Sequence, residues 1–265
     1  MSNFVTALKS YGQHFLIDKN VLEKIVEVIK LYNKGEKLIE VGPGTGALTD
    51  YLLRDFQSVT CIEVDHRCVE LLTNKYAAKE NRFTILEADF LKQDMSDLLN
   101  TPTAIVGNFP YNISSQIVFK ILDHYQSIPF MVGMFQKEMA ERIASPHGSK
   151  AYGVISIFAQ LYYDVKLEFD IAPNSFAPPP KVMSSVISMR RKENIRYDFD
   201  FKLFRNIVKA GFNQRRKMLR NGLSGIVPKE LLQQDVFSKR AEQLSIDDFI
   251  ELTKSLENKI KTNVE

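Results

Sequence analysis

A chain of 265 residues, 45% hydrophobic and 25% charged, is long enough for one large core and a smaller appendage, and its composition excludes extended disorder. A formal net charge of +3 is too small to demand a nucleic-acid partner, so the placement of charge says more than its sum. No apolar run is long enough to cross a membrane, residues 1–13 lack the pattern of a secretory leader, and Cys61 and Cys68 fit neither a redox pair nor a zinc quartet, so a cytoplasmic protein without membrane association is expected.

In chain order, Val21, Leu22, Ile25, Val28 and Ile29 repeat at helical spacing. Five apolar runs then read as strands: 37–41, closed by Gly42, then 59–64, 83–86, 104–107 and 130–135. A second helical repeat, Ile117, Val118, Ile121 and Leu122, lies between the last two. Two more strands are expected from Tyr162 to Ile171 and from Ser184 to Met189, separated by a stiff loop, Phe176 to Lys181, that contains three consecutive prolines. Composition shifts to a charged, poorly periodic stretch at 190–194, and the sequence beyond it looks entirely helical. The reading is an open α/β sheet covered on both faces in residues 1–192, followed by a small all-helical domain in residues 193–265.

Three strand ends in succession carry candidate ligand groups. Glu40-Val41-Gly42-Pro43-Gly44-Thr45-Gly46 follows the first strand of the sheet and opens a helix, so Gly42 and Gly44 let the backbone approach a ligand. Glu63, at the end of the next strand, is placed for a carboxylate that accepts ribose hydroxyls. Asp89, past the third, could accept a hydrogen bond from an adenine amino group. Together they point to an adenosine-containing cofactor. The turn lacks the GxGxxG spacing that seats a pyrophosphate, since Ala47 follows Gly46, and this favours S-adenosylmethionine, which has no phosphate, over a nicotinamide dinucleotide.

After the fourth strand comes Gly107-Asn108-Phe109-Pro110-Tyr111-Asn112, which resembles the (N/D)PPY motif of amino-methyltransferases in the form typical of ribosomal RNA adenine dimethyltransferases. The chemistry accounts for the residue types. The N6 lone pair of adenine is delocalised into the ring; acceptors for both N6 hydrogens, one from the Asn108 side chain and one from a carbonyl of the Phe109-Pro110 segment, favour a pyramidal and more nucleophilic nitrogen. Pro110 fixes the turn, Tyr111 offers a stacking face to an extruded base, and Phe176 is a candidate second face. The leaving group is already a sulfonium, so no metal is required.

With these residues in view, the chain is identified as a member of the small-subunit ribosomal RNA adenine dimethyltransferase family. The resemblance rests on Tyr11 to Leu16, Gly42 to Gly46, Asn108 to Asn112, Gln136 to Glu138, Tyr152-Gly153, Phe176 to Val182 and Phe212 to Lys217. It implies a Rossmann-like class I methyltransferase sheet, with His14 and Leu16 lining the cofactor pocket beside Gly42, Gly44, Glu63, Asp89 and Asn108. It also implies dimethylation of two adjacent adenines in the terminal hairpin of 16S rRNA, within a 30S precursor, by a monomer. His14 stands where many members have Asn, Phe109 where Leu or Ile is common, and Met183 where Asp is usual. Lys202, Arg205, Lys209, Arg215, Arg216, Lys217 and Arg220 form a run free of acids, and Arg205, Lys209, Arg215, Arg216, Lys217 and Arg220 are the expected RNA contacts. The rivals are the 23S rRNA methyltransferases of macrolide resistance, a DNA adenine methyltransferase, and a non-catalytic assembly or transcription factor; the last should lack Glu63, Asp89 or Asn108.

Overall fold

A computed structural model of the chain describes residues 5–8, 12–79, 81–195 and 198–262, with side chains to 257; Tyr11 of the N-terminal motif lies outside the described residues. The chain divides into two compact units, Met1–Glu141 with Tyr162–Arg191, and Arg142–Leu161 with Lys192–Glu265.

The first unit begins with β1 (Phe15–Leu16) and α1 (Lys19–Tyr32). Asp18 starts α1 by accepting the amides of Asn20 and Val21 at 3.0 and 3.3 Å. Leu22, Ile25, Val26 and Ile29 then recur on its one buried face. There follow β2 (Lys37–Val41), α2 (Ala47–Asp55), β3 (Val59–Glu63), α3 (His66–Lys75), β4 (Phe83–Glu87), β5 (Thr103–Asn108), α4 (Ser114–Asp123) and β6 (Phe130–Gln136). α5 (Lys137–Ala144) and α6 (Val154–Tyr162) lead on to β7 (Tyr163–Ile171), β8 (Phe176–Ala177) and β9 (Ser184–Arg191).

Seven strands form one sheet in the order β4-β3-β2-β5-β6-β9-β7. The first five run parallel, while β9 is antiparallel to both β6 and β7. Helices cover both faces, so the parallel strands are apolar throughout rather than alternating, as in Phe130–Gln136, where all but the last residue is buried. The seven strand positions expected from sequence hold to within two residues at each end. The loop expected from Phe176 to Lys181 differs at its start, where β8 pairs with β1, Leu16 opposite Phe176 and Phe15 opposite Ala177.

The second unit contains most of α6, with α7 (Phe201–Asn213), α8 (Leu219–Gly222), α9 (Ile246–Thr262) and short 3-10 turns. The later boundary between the units falls at 191/192, and segment 142–161 groups with the later residues. The cause is aromatic packing within the unit: Phe158 meets Phe201 and Phe204 edge to face at 6.2 and 6.0 Å, and Tyr152 meets Phe212 at 6.0 Å.

Candidate active site

Parallel strands end on one edge of a sheet, so their order decides which loops become neighbours. Reading β4-β3-β2-β5 along that edge places Asp89, Glu63, Gly42 and Asn108 side by side, although they lie tens of residues apart in the chain. A cavity of about 280 Å³ opens there. Its lining includes His14, Leu16, Gly42, Gly44, Glu63, Asp89, Asn108, Pro110 and Tyr111.

The glycine turn is a cradle shaped by the absence of side chains. Gly44 has φ +56°, and a Cβ there would stand 2.8 Å from the Phe15 ring, so the turn closes against the N-terminal segment only with glycine at this position. Glu63 is buried and bonded to main chain: one carboxylate oxygen accepts the Gly44 amide at 3.0 Å, the other the amides of Val64 and Asp65, both at 2.9 Å. Burial raises its pKa against the lowering effect of these three donors. Asp89 accepts the Leu91 amide at 2.9 Å through Oδ1, and Lys92 lies 3.7 Å from Oδ2.

Glu40 also lines the cavity, a role that sequence reasoning did not assign to it. It is 1% exposed, and burial lifts its pKa to about 7 despite the Thr49 hydroxyl donating to it at 2.7 Å. The signal was there to be read: a carboxylate inside an otherwise apolar strand is costly unless something uses it. Neither Glu40 nor Glu63 is ion-paired with a cation among the described residues. A cavity with two such buried acids, a side-chain-free glycine cradle and Asp89 at its rim fits the adenosine and positive charge of S-adenosylmethionine.

On the acceptor side, the Asn108 side-chain nitrogen donates to the His14 carbonyl at 2.8 Å, which fixes the amide and leaves Oδ1 without a protein donor among the described residues. Pro110 starts a short 3-10 turn, and its carbonyl accepts the Ile113 amide at 3.2 Å. The Tyr111 hydroxyl shares a 2.6 Å hydrogen bond with Ser184, and its ring stacks on His14 with centroids 5.7 Å apart. Burial raises the Tyr111 pKa, keeping the phenol neutral. Gln13 of the N-terminal motif donates to Asp65 at 2.9 Å, and Asp65 is held down to about 2 by the Arg67 guanidinium. The N-terminal segment is thereby tied to the end of β3.

Two expectations need correction. Phe176 does not line the cavity; it is 2% exposed, because β8 folds its ring into the core beside Leu16 and Ile171. Arg215 is half-buried, with its guanidinium 2.9 Å from Glu242 and also donating to the Lys150 carbonyl, so it holds the second unit together. Arg220 is half-buried and its Nε has no hydrogen-bond partner among the described residues, whereas Arg205, Lys209, Arg216 and Lys217 are exposed.

This strand order, with a cofactor cavity at its C-terminal edge and an Asn-Phe-Pro-Tyr turn on the cavity wall, defines a class I methyltransferase acting on an amine. A family model described as ribosomal RNA adenine dimethylase matches residues 5–258. The chain belongs to that family. It is 45% identical over 256 residues to the ribosomal RNA small subunit methyltransferase A of Flavobacterium johnsoniae, covering 96% of this chain and 97% of the relative. Identity to the protein of the same name from Cytophaga hutchinsonii is 42% over 257 residues, with 96% and 99% covered. Among solved structures, a dimethyladenosine transferase from Plasmodium falciparum superposes with a TM-score of 0.79 at 27% identity, over 93% of this chain and 98% of the other.

Proposed function

We propose that this protein transfers methyl groups from S-adenosylmethionine to N6 of two adjacent adenines in the 3′-terminal hairpin of 16S rRNA, giving N6,N6-dimethyladenine on a 30S precursor, and that it acts as a cytoplasmic monomer. The observation that carries this reading is the Asn108 amide, anchored through its nitrogen to the His14 carbonyl so that Oδ1 stays open as an acceptor beside the cavity. The Pro110 carbonyl accepts the Ile113 amide with one lone pair, and a carbonyl of the Phe109-Pro110 segment supplies the second acceptor. Each N6 hydrogen then has one acceptor, and the nitrogen lone pair is freed for the methyl group.

S-adenosylmethionine, when bound, supplies a methyl group activated by its sulfonium. Gly42 and Gly44 admit it, Glu63 takes the ribose hydroxyls through its remaining lone pairs, Asp89 takes the adenine amine, and His14 and Leu16 close the wall. Tyr111 supports the target base from one side. Each transfer would form the N6–methyl bond as the sulfur–methyl bond breaks, with the N6 proton passing to solvent. Exposed Arg205, Lys209, Arg216 and Lys217 would contact RNA phosphates in the manner of shape-directed RNA binding.

The test is methyl transfer from labelled S-adenosylmethionine to unmethylated 30S subunits, 50S subunits and duplex DNA, with the product nucleoside identified by mass spectrometry. Dimethyladenine confined to 30S material supports the reading. Label on 50S subunits or DNA, or none anywhere, overturns it.

A further inference from the structure

One residue touches three parts of the acceptor wall. The His14 main chain receives the Asn108 amide at 2.8 Å, its Nδ1 lies 2.8 Å from the Pro178 carbonyl oxygen, and its ring lies on Tyr111 at an interplanar angle of 24°. A carbonyl only accepts, so Nδ1 carries a hydrogen and donates it to Pro178. Asn108 and Pro178 lie 94 and 164 residues away in sequence, so residue 14 joins the N-terminal segment, the Asn-Phe-Pro-Tyr turn and the proline loop at one point. Phe176, the aromatic expected as a second stacking surface, is in the core, and the aromatic ring against which Tyr111 packs is that of His14.

We propose that His14 is a positioning residue for the methyl-accepting base: its imidazole backs Tyr111 as the second layer of the stacking platform, while its main chain aims Asn108 Oδ1. The inference rests on the reading of the site as an adenine N6-methyltransferase. A platform two rings deep holds Tyr111 at a fixed tilt, and its Ser184 hydrogen bond fixes the far end of the same ring. The Nδ1–Pro178 bond in turn prevents the imidazole from rotating away. Lining the cofactor cavity is a separate duty of the same residue, and the two are separable by experiment because they load different kinetic constants.

Three variants divide the contacts. His14→Asn keeps an amide donor near the place of Nδ1 and the main-chain carbonyl but removes the ring; His14→Phe keeps a ring and removes the donor; His14→Ala removes both. With 30S subunits as acceptor, His14→Asn should lower kcat about threefold to tenfold, the range an aromatic pair supplies. Its dissociation constant for S-adenosylmethionine, which reads the cavity-lining duty of the same residue, should rise by a clearly smaller factor than kcat falls. His14→Phe should recover at least half of that loss on a logarithmic scale, and His14→Ala should be the slowest. Wild-type kcat in His14→Asn, a loss matched by an equal weakening of cofactor binding, or a His14→Phe no faster than His14→Asn would each overturn the proposal. Absence of transfer by the unsubstituted protein would instead overturn the functional reading beneath it.

Discussion

Gly133→Ala tests how the strand beside the catalytic turn supports it. Gly133 lies on β6 opposite Gly107 of β5, and a Cβ there would stand 2.1 Å from Phe109 Cε2 and 2.8 Å from Cδ2. That is more than about 1 Å inside ordinary contact. The Phe109 ring is 1% exposed and meets Phe135 edge-on at 5.2 Å, so it has no open space to enter. Overpacking of this kind costs about 1–3 kcal/mol. Phe109 follows Asn108 directly, and a shift of about 1 Å at a reacting group is enough to cost on the order of 10²-fold in rate. Phe109→Leu alone should cost about 1–2 kcal/mol of stability through lost burial. Combined with Gly133→Ala it vacates the space the new methyl needs, so the double variant should recover about 1–3 kcal/mol relative to the sum of the singles. Urea denaturation of the four proteins measures the coupling, and methyl transfer to 30S subunits measures its effect on the turn. If the two costs simply add, to within about 0.5 kcal/mol, the argument that Gly133 exists to admit the Phe109 ring is refuted.

Asn108→Ala should reduce methyl transfer by about 10²-fold or more through loss of one N6 acceptor, measured as single-turnover rate on 30S subunits; turnover within tenfold of wild type would remove Asn108 from the mechanism. The Glu40 carboxyl, lifted by burial from its ordinary value of 4.5 to about 7, stays protonated in the fold where the unfolded chain has already ionised. Its contribution to stability therefore falls as pH rises from about 4.5 to about 7 and stays low above that, a difference of order 3 kcal/mol. Glu40→Gln should accordingly be more stable than wild type at pH 8 and not at pH 4.5, as read by urea titration at each pH. Neutralising Arg216 and Lys217 together should weaken RNA binding and flatten the dependence of log K on log salt by about 0.7–0.9 per lost phosphate contact. Arg215→Ala should instead lower the melting temperature through loss of the Glu242 pair, with the salt slope little changed.

That Gly42, Glu63, Asp89 and Asn108 meet at one cavity was legible because a parallel sheet translates sequence into position almost without intermediates. Each buried strand reads as an apolar run, each run stops at a polar residue, and all such stops fall on one edge, so Gly42, Glu63, Asp89 and Asn108 were recognisable before their distances were known. The two-residue strands β1 and β8 are too short to show any period, so nothing local distinguished a buried Phe176 from one offered to a base. Arg215 and Arg216 are the same residue type in adjacent positions; what separates them is Glu242, 27 residues away. Segment 142–161 lies in sequence between two stretches of the first unit, and contacts with residues far along the chain, the rings of Phe158 and Tyr152 among them, group it with the second.

The acceptor side shows the same division more sharply. Asn108, Pro110 and Tyr111 announce a chemistry because their spacing is local. Whether Asn108 presents oxygen or nitrogen to the substrate is decided by the His14 carbonyl, and whether Tyr111 is held for stacking is decided by Ser184 and the His14 ring. A side-chain amide has two chemically opposite ends of nearly equal shape, and a neighbour that accepts but cannot donate selects between them. A backbone carbonyl meets that requirement whatever side chain residue 14 carries. Substitution at residue 14 should therefore leave the orientation of Asn108 intact while altering the ring that backs Tyr111, which is why the rate of transfer, more than the affinity for the cofactor, is the quantity that substitutions there should move.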